Sequence, residues 1–234
     1  MTYRAVFFDA GETLVHAHPS FPELLVEVLR QEGLTVDLET LREKLHVVSD
    51  RFLHAAQAKE LWSTSAARSR EFWADIYRTL LDEIGLPFGD GLAEALYRTF
   101  TDVSNYRLFP DALPVLERLH EGGLTLGVVS NFEEWLERLL ESLEVLPFFD
   151  VRVISGVEGY EKPDPRLFQV ALDRVGVEAS ESVYVGDLPY FDIEPAAAMG
   201  MFAVLIDRRD RYPDHPGPRI GTLDELPGVI GMGA

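Results

Sequence analysis

Short apolar, β-branched or aromatic runs recur along the chain at 5–8 (Ala5, Val6, Phe7, Phe8), 124–129 and 183–185, with a further run at 203–206. Runs of this length without polar alternation predict strands buried on both faces. Between them, apolar positions fall at three- and four-residue spacing over 111–121, 133–143, 166–175 and 193–199, the period of amphipathic helices. Gly122-Gly123 and Gly176 close two of these stretches, where a helix commonly ends in a left-handed residue. Strand and helix in alternation predict an α/β fold: a doubly wound, Rossmann-like parallel sheet with helices on both faces.

The alternation lapses from about residue 20 to 104, where only the helical period remains. Leu38, Leu41, Leu45, Val48, Phe52 and Ala55 form one stripe, and Phe72, Trp73, Ile76, Leu80 and Ile84 form another that ends at Gly85. Leu24, Leu25, Val28 and Leu29 precede Gly33, and Leu92, Leu96 and Phe100 follow Asp90, a plausible N-cap. The expected organisation is therefore an α/β core from 1–17 and 105–234, interrupted by an all-helical insert of four helices over 18–104. Pro213, Pro216, Gly217 and Pro218 predict a loop near the end.

Composition narrows the function classes. Hydrophobic residues at 47% and charged residues at 26% are those of an ordinary globular chain. With 40 acidic against 21 basic residues the formal charge is -19, which disfavours nucleic acid or an anionic membrane surface as partner and favours a small molecule. An anionic substrate would then need a local cation to approach. The absence of cysteine removes disulfides, thiolate metal sites and a thiol nucleophile. No apolar run reaches a signal-peptide core or a membrane span of roughly 18 residues, so the cytoplasm is the expected location. Oligomeric state is left open.

Each of the three main strand candidates runs straight into polar residues: Asp9, Ser130-Asn131 and Gly186-Asp187. In open α/β sheets the carboxyl ends of adjacent parallel strands converge on one crevice, so residues over a hundred positions apart can share a site. Any one of these Asp residues could instead cap a helix, as Asp192 could for a helix starting at 193, and Lys162 alone could be a solvated loop lysine. Their joint placement is what argues for chemistry. His16 and His18 read as an exposed loop pair, Trp62, Trp73 and Trp135 as packing residues, and Glu133-Glu134 as a first-turn complement to a helix dipole.

These residues resemble the haloacid dehalogenase-like superfamily across the whole chain, in its capped branch with a helical insert between the first two motifs. Asp9-Ala10-Gly11-Glu12-Thr13 is similar to the family's Asp-x-Asp-x-Thr, Ser130 to its motif-two hydroxyl, Lys162 in Glu161-Lys162-Pro163-Asp164-Pro165 to its motif-three lysine, and Gly186-Asp187 to Asp192 to its Gly-Asp-x-x-x-x-Asp. Ser130-Asn131-Phe132 and the stretch from Lys162 to Phe168 repeat wording of its uncharacterised hydrolase-domain-containing group. The resemblance implies a Mg²⁺-dependent hydrolase, a phosphatase acting on a small phosphorylated substrate through an aspartyl phosphate. Asp9 would be nucleophile and metal ligand, with the Gly11 carbonyl and Asp187 completing the metal site and Asp192 supporting it. Lys162 would neutralise the reacting anions, and Thr13, Ser130 and Asn131 would hold the substrate.

Gly11 departs from the pattern. Phosphatases of this family carry there the Asp that protonates the leaving group and activates water, a function worth on the order of 10²–10⁴ in rate. Glu12 is the nearest substitute in sequence, although neighbours in an extended segment face opposite ways. The alternatives are a weakly active or non-catalytic metal- and phosphate-binding protein, a 2-haloacid dehalogenase, which would not require the retained acids, and a phosphonatase, for which Lys44 and Lys59 are the insert's only lysines.

Overall fold

A computed structural model describes residues 3–232. Its strands are β1 (Ala5–Phe8), β2 (Val15–Ala17), β3 (Tyr106–Leu108), β4 (Thr125–Ser130), β5 (Val151–Ile154), β6 (Ser182–Gly186), β7 (Phe202–Ile206) and β8 (Arg219–Ile220). Six of them form one parallel sheet in the order β5-β4-β1-β6-β7-β8. The fold is the α/β architecture that the strand-helix alternation predicts. Alternate residues of β1 feed opposite layers: Val6 and Phe8 pack into one buried cluster, Ala5 and Phe7 into another. That period of two on a doubly covered sheet is why the run is apolar throughout.

The insert holds five helices: α1 (Phe21–Gln31), α2 (Leu38–Glu43), α3 (His46–Ala58), α4 (Ala66–Glu83) and α5 (Asp90–Phe100). The core helices follow as α6 (Ala112–Glu121), α7 (Leu136–Ser142), α8 (Ser155–Glu158), α9 (Pro165–Val175), α10 (Glu194–Ala198) and α11 (Leu226–Val229). The insert has one helix more than its periodicity predicts, because the stripe from Leu38 to Ala55 breaks between α2 and α3. Leu41 packs with Leu25, Val28 and Leu29, whereas Phe52 and Ala55 pack with Trp62, Phe72 and Ile76, so the two halves serve different cores. The chain enters and leaves the insert through β2 and β3, an antiparallel pair with Val15 opposite Leu108.

Three other local expectations shift. β5 is absent from the sequence reading because Arg152 interrupts an already short edge run. The helix expected from 133 starts at Leu136, leaving Glu133 before it, buried and accepting a 2.7 Å hydrogen bond from the Tyr97 hydroxyl of α5. It ties insert to core and is no dipole complement. Asp192 is likewise no N-cap: it lies in a wide helical turn (Pro189–Ile193) that runs into α10, whose N-cap is Ile193. Among the described residues no helix is long and apolar enough to cross a membrane.

Candidate active site

Because β1 lies between β4 and β6, the residues that follow these strands meet. Phe8 pairs with Val128 on one side and Val185 on the other, so Asp9 falls one position short of level with Ser130 and Asp187. Ser130 Oγ donates to Asp9 Oδ1 at 2.9 Å, and the Asp9 N–H donates to the Val185 carbonyl at 2.8 Å. From 153 positions downstream, Lys162 brings Nζ to 2.7 Å from the same Asp9 oxygen and 2.5 Å from Asp192 Oδ1. All three side chains are buried, so the ion pairs lie out of reach of solvent screening.

Lys162 is positioned by its neighbours. Asn131 clamps its backbone from both sides, accepting from the Lys162 N–H at 2.6 Å and donating to its carbonyl at 2.8 Å. Asn131 is thus seen holding Lys162, a role distinct from the substrate contact expected of it. The Tyr184 hydroxyl accepts from Lys162 Nζ at 3.1 Å and donates to the Val129 carbonyl at 2.9 Å. Burial pushes the Tyr184 phenol well above its ordinary range. Burial also works against the lysine's charge, but the Asp192 and Asp9 carboxylates outweigh it and hold Lys162 above the usual lysine value.

Asp9, Asp187 and Asp192 each offer a carboxylate oxygen, all within 4.8 Å of one another. Burial, then repulsion from Asp192 and Asp9, raises the Asp187 carboxyl well above the carboxylate range, against the pull of Arg211 at 2.9 Å. Both Asp192 oxygens are engaged, Oδ1 by Lys162 and Oδ2 by the Leu188 N–H at 3.0 Å. Asp9 Oδ2 and Asp187 Oδ1 accept no hydrogen bond among the described residues. Crowded hard oxygens with two free lone-pair positions are a donor set suited to a small divalent cation.

Gly186 is required by this packing. A Cβ there would sit 2.4 Å from Asp192 Cγ and 2.5 Å from its Cβ, so only glycine lets the turn fold back over β6. Gly186→Ala is expected to displace Asp192 from Lys162 and to lower stability by about 1–3 kcal/mol. Urea denaturation checks it, and an unchanged midpoint would mean the turn yields freely.

Other residues fall differently. Thr13 is fully buried, its hydroxyl has no partner among the described residues, and it does not line the cavity beside Asp9, although its carbonyl accepts from Arg208 at 2.8 Å. Gly11 is on the cavity wall, and a Cβ built on it would touch nothing within 4 Å. Glu12, left-handed at φ 56°, pairs with Arg209 at 2.7 Å. His16 lies in β2 against Phe109 and lines the cavity, while His18 is exposed. Trp62, Trp73 and Trp135 both pack and line the cavity, and neither Lys44 nor Lys59 reaches it. Sequence reasoning missed Arg209 and Arg211, which place positive charge at the site. Their signal was a basic cluster at 208–211, directly after an apolar run, in a strongly acidic chain. It also missed Glu161, whose buried carboxylate accepts from the Ser63 N–H at 2.8 Å, Ser63 Oγ at 2.7 Å and the Trp62 N–H, fastening the insert beside Lys162.

The structure brings a carboxylate at the end of β1, a buried lysine and two further Asp residues to one cleft. Residues 3–200 match the haloacid dehalogenase-like hydrolase family, and the chain belongs to it. It is a hydrolase of that family. Among its relatives, haloacid dehalogenase-like hydrolase domain-containing protein 3 of Danio rerio is 30% identical, over 96% of this chain and 95% of that one. A phosphoserine phosphatase of Thermus thermophilus is 34% identical over 95% and 97%. The crystal structure of a phosphatase of the family from Thermococcus onnurineus superimposes with a TM-score of 0.63 at 26% identity, covering 97% of this chain and 98% of that one.

Proposed function

We propose that this hydrolase is a Mg²⁺-dependent phosphatase that acts on a small phosphate ester through an aspartyl phosphate on Asp9. The observation that carries the reading is the pair of unengaged oxygens, Asp9 Oδ2 and Asp187 Oδ1, beside the buried Lys162 ammonium. Similarity to relatives named as phosphatases supports it. Asp9, Asp187 and the Gly11 carbonyl would hold the metal, with Asp192 in support. When bound, the cation offsets repulsion between the Asp9 carboxylate and the phosphoryl oxygens and polarises the phosphorus centre.

The chain's own groups supply the rest. Ser130 and Lys162 both engage Asp9 Oδ1, which fixes the carboxylate at the mouth of the cavity. Lys162 Nζ, with Arg209 and Arg211 on the cavity wall, supplies charge to phosphoryl oxygens. Ser130 would donate to the substrate as the phosphoryl group approaches, and Thr13 would act through its buried loop. Asn131 and Tyr184 hold Lys162 in place. The insert, 18–104, serves as a cap over the core formed by 1–17 and 105–234, fastened at Glu161 and Glu133. The cytoplasm is the proposed location.

A second reading rests on Gly11, where among the described residues nothing beyond its chain neighbours lies within 4 Å of the place a Cβ would occupy. In it the chain binds metal and phosphate with little turnover. Phosphate release from a panel of phosphate esters separates the two. Release is expected with Mg²⁺, falling at least about a hundredfold in excess chelator and returning on readdition. Mg²⁺-independent release would remove the metal from the reading. Binding of inorganic phosphate with no release from any ester would favour the second, and chloride release from 2-chloropropionate would favour dehalogenation.

A further inference from the structure

From Asp9 and Lys162 a cavity of about 590 Å³ opens between the core and the insert. Its far wall is aromatic. Phe52 of α3 meets Trp62, Trp73 and Phe191 edge to face, with ring centroids 4.8, 5.6 and 6.4 Å apart. On the other side Trp135 packs at 4.6 Å from Phe132 and 5.6 Å from Tyr106. The charged groups of the cavity lie on the core side. Among the lining residues from 18–104 there is no Asp, Glu, Lys or Arg, and the polar groups there are His46 and a few hydroxyls, so no full charge faces the leaving group from that side.

A separate observation concerns the leaving group itself. Gly11 stands where the family's general acid would be, and Glu12 is paired with Arg209. An alkoxide, whose conjugate acid is about as weak as water, leaves poorly without a proton. A phenoxide, with a conjugate acid near the roughly 10 of tyrosine, leaves far more readily. Wall and missing acid therefore select the same molecule.

Building on the phosphatase reading, we propose that the substrates are phosphate monoesters of uncharged phenols. The aryl ring lies among Phe52, Trp62 and Trp73, and the phosphoryl group lies at Asp9. An Asp9 oxygen bonds to phosphorus as the bond from phosphorus to the aryl oxygen breaks. The electron pair leaves as phenolate, which takes its proton from water. A second water hydrolyses the aspartyl phosphate, releasing inorganic phosphate and returning Asp9. Aromatic walls hold a flat ring by offset and edge-to-face contacts as well as by burial.

Steady-state kcat/KM with Mg²⁺ for substituted phenyl phosphates, 2-naphthyl phosphate, n-butyl phosphate, phosphoserine and acetyl phosphate tests this. Acetyl phosphate is activated but carries no ring, so it reports phosphatase chemistry apart from the aryl pocket. The expected result is a preference for phenyl over n-butyl phosphate of at least about a thousandfold, rates that rise as the phenol becomes more acidic, and phosphoserine among the poorest. Trp73→Leu is expected to lower the ratio of 2-naphthyl to acetyl phosphate about tenfold. Ser49→Trp, an α3 position on the cavity rim, is expected to lower it as well and covers the case in which Trp73→Leu does not fold. Hydrolysis of acetyl phosphate with equal rates for phenyl and n-butyl phosphate overturns the aryl assignment and leaves the phosphatase standing. No hydrolysis of any ester overturns both.

Discussion

Asp9→Asn is expected to reduce phosphate release by on the order of 10⁴-fold or more, because the amide keeps the shape of the carboxylate and loses its nucleophilicity. The folded state should survive. In the wild-type site three buried carboxylates, Asp9, Asp187 and Asp192, face two cations, Lys162 and Arg211. Neutralising Asp9 leaves Lys162 on Asp192 and Arg211 on Asp187, each cation with one carboxylate. The amide oxygen can still accept from Ser130 and Lys162. Removing the nucleophile thereby removes an excess buried charge, and a melting temperature equal to or above wild type is expected in metal-free buffer. Mg²⁺ should then stabilise the variant less than it stabilises wild type, since one ligand charge is gone. Phosphate release equal to wild type in a folded variant would remove Asp9 as nucleophile. Lost activity with a large fall in melting temperature would show that its carboxylate is structural.

How far the sequence discloses this arrangement depends on whether a signal is local. Ala5–Phe8 is apolar at every position because both faces of β1 are covered, and that can be read from four residues. That Ser130, Asp9 and Asp187 share one site could be read from strand runs that end in polar residues, since the carboxyl ends of adjacent parallel strands meet at one crevice, but the order β4-β1-β6 itself has no local trace. The split at Lys44 and Leu45 cannot be read this way, since one stripe serves two cores and only the tertiary packing distinguishes them. Trp62, Trp73 and Trp135 show the same limit: at helical spacing an aromatic residue that packs and one that packs while walling a cavity have the same pattern. Asn131 was recognisable as a site residue, but its hold on the Lys162 backbone joins positions 31 apart and has no local trace. Arg211 was visible as a charge out of keeping with its chain, and only its 2.9 Å contact with Asp187 shows what that charge does.

The second large effect should run the other way. Gly11→Asp is expected to raise kcat/KM for alkyl phosphates by about 10²–10⁴-fold and for phenyl phosphates by less than about tenfold. The backbone permits the change, since φ at Gly11 lies outside the left-handed region and a Cβ there meets no atom within 4 Å. Loss of glycine's freedom in the unfolded chain favours the variant by roughly 0.4–1 kcal/mol. A fourth carboxylate near Asp9 and Asp187 opposes that gain, and bound Mg²⁺ would offset the repulsion, so the variant's stability should depend on Mg²⁺ more steeply than that of wild type. The contrast between substrates is the decisive readout. A proton donor helps most where the leaving oxygen is most basic, so the new carboxyl should flatten the dependence of rate on the acidity of the leaving alcohol. A parallel gain on both substrate classes would point to better water activation in the second half-reaction, because breakdown of the aspartyl phosphate is common to both. No gain on either, in a variant that folds and binds Mg²⁺, would mean that the missing acid is not what limits this site.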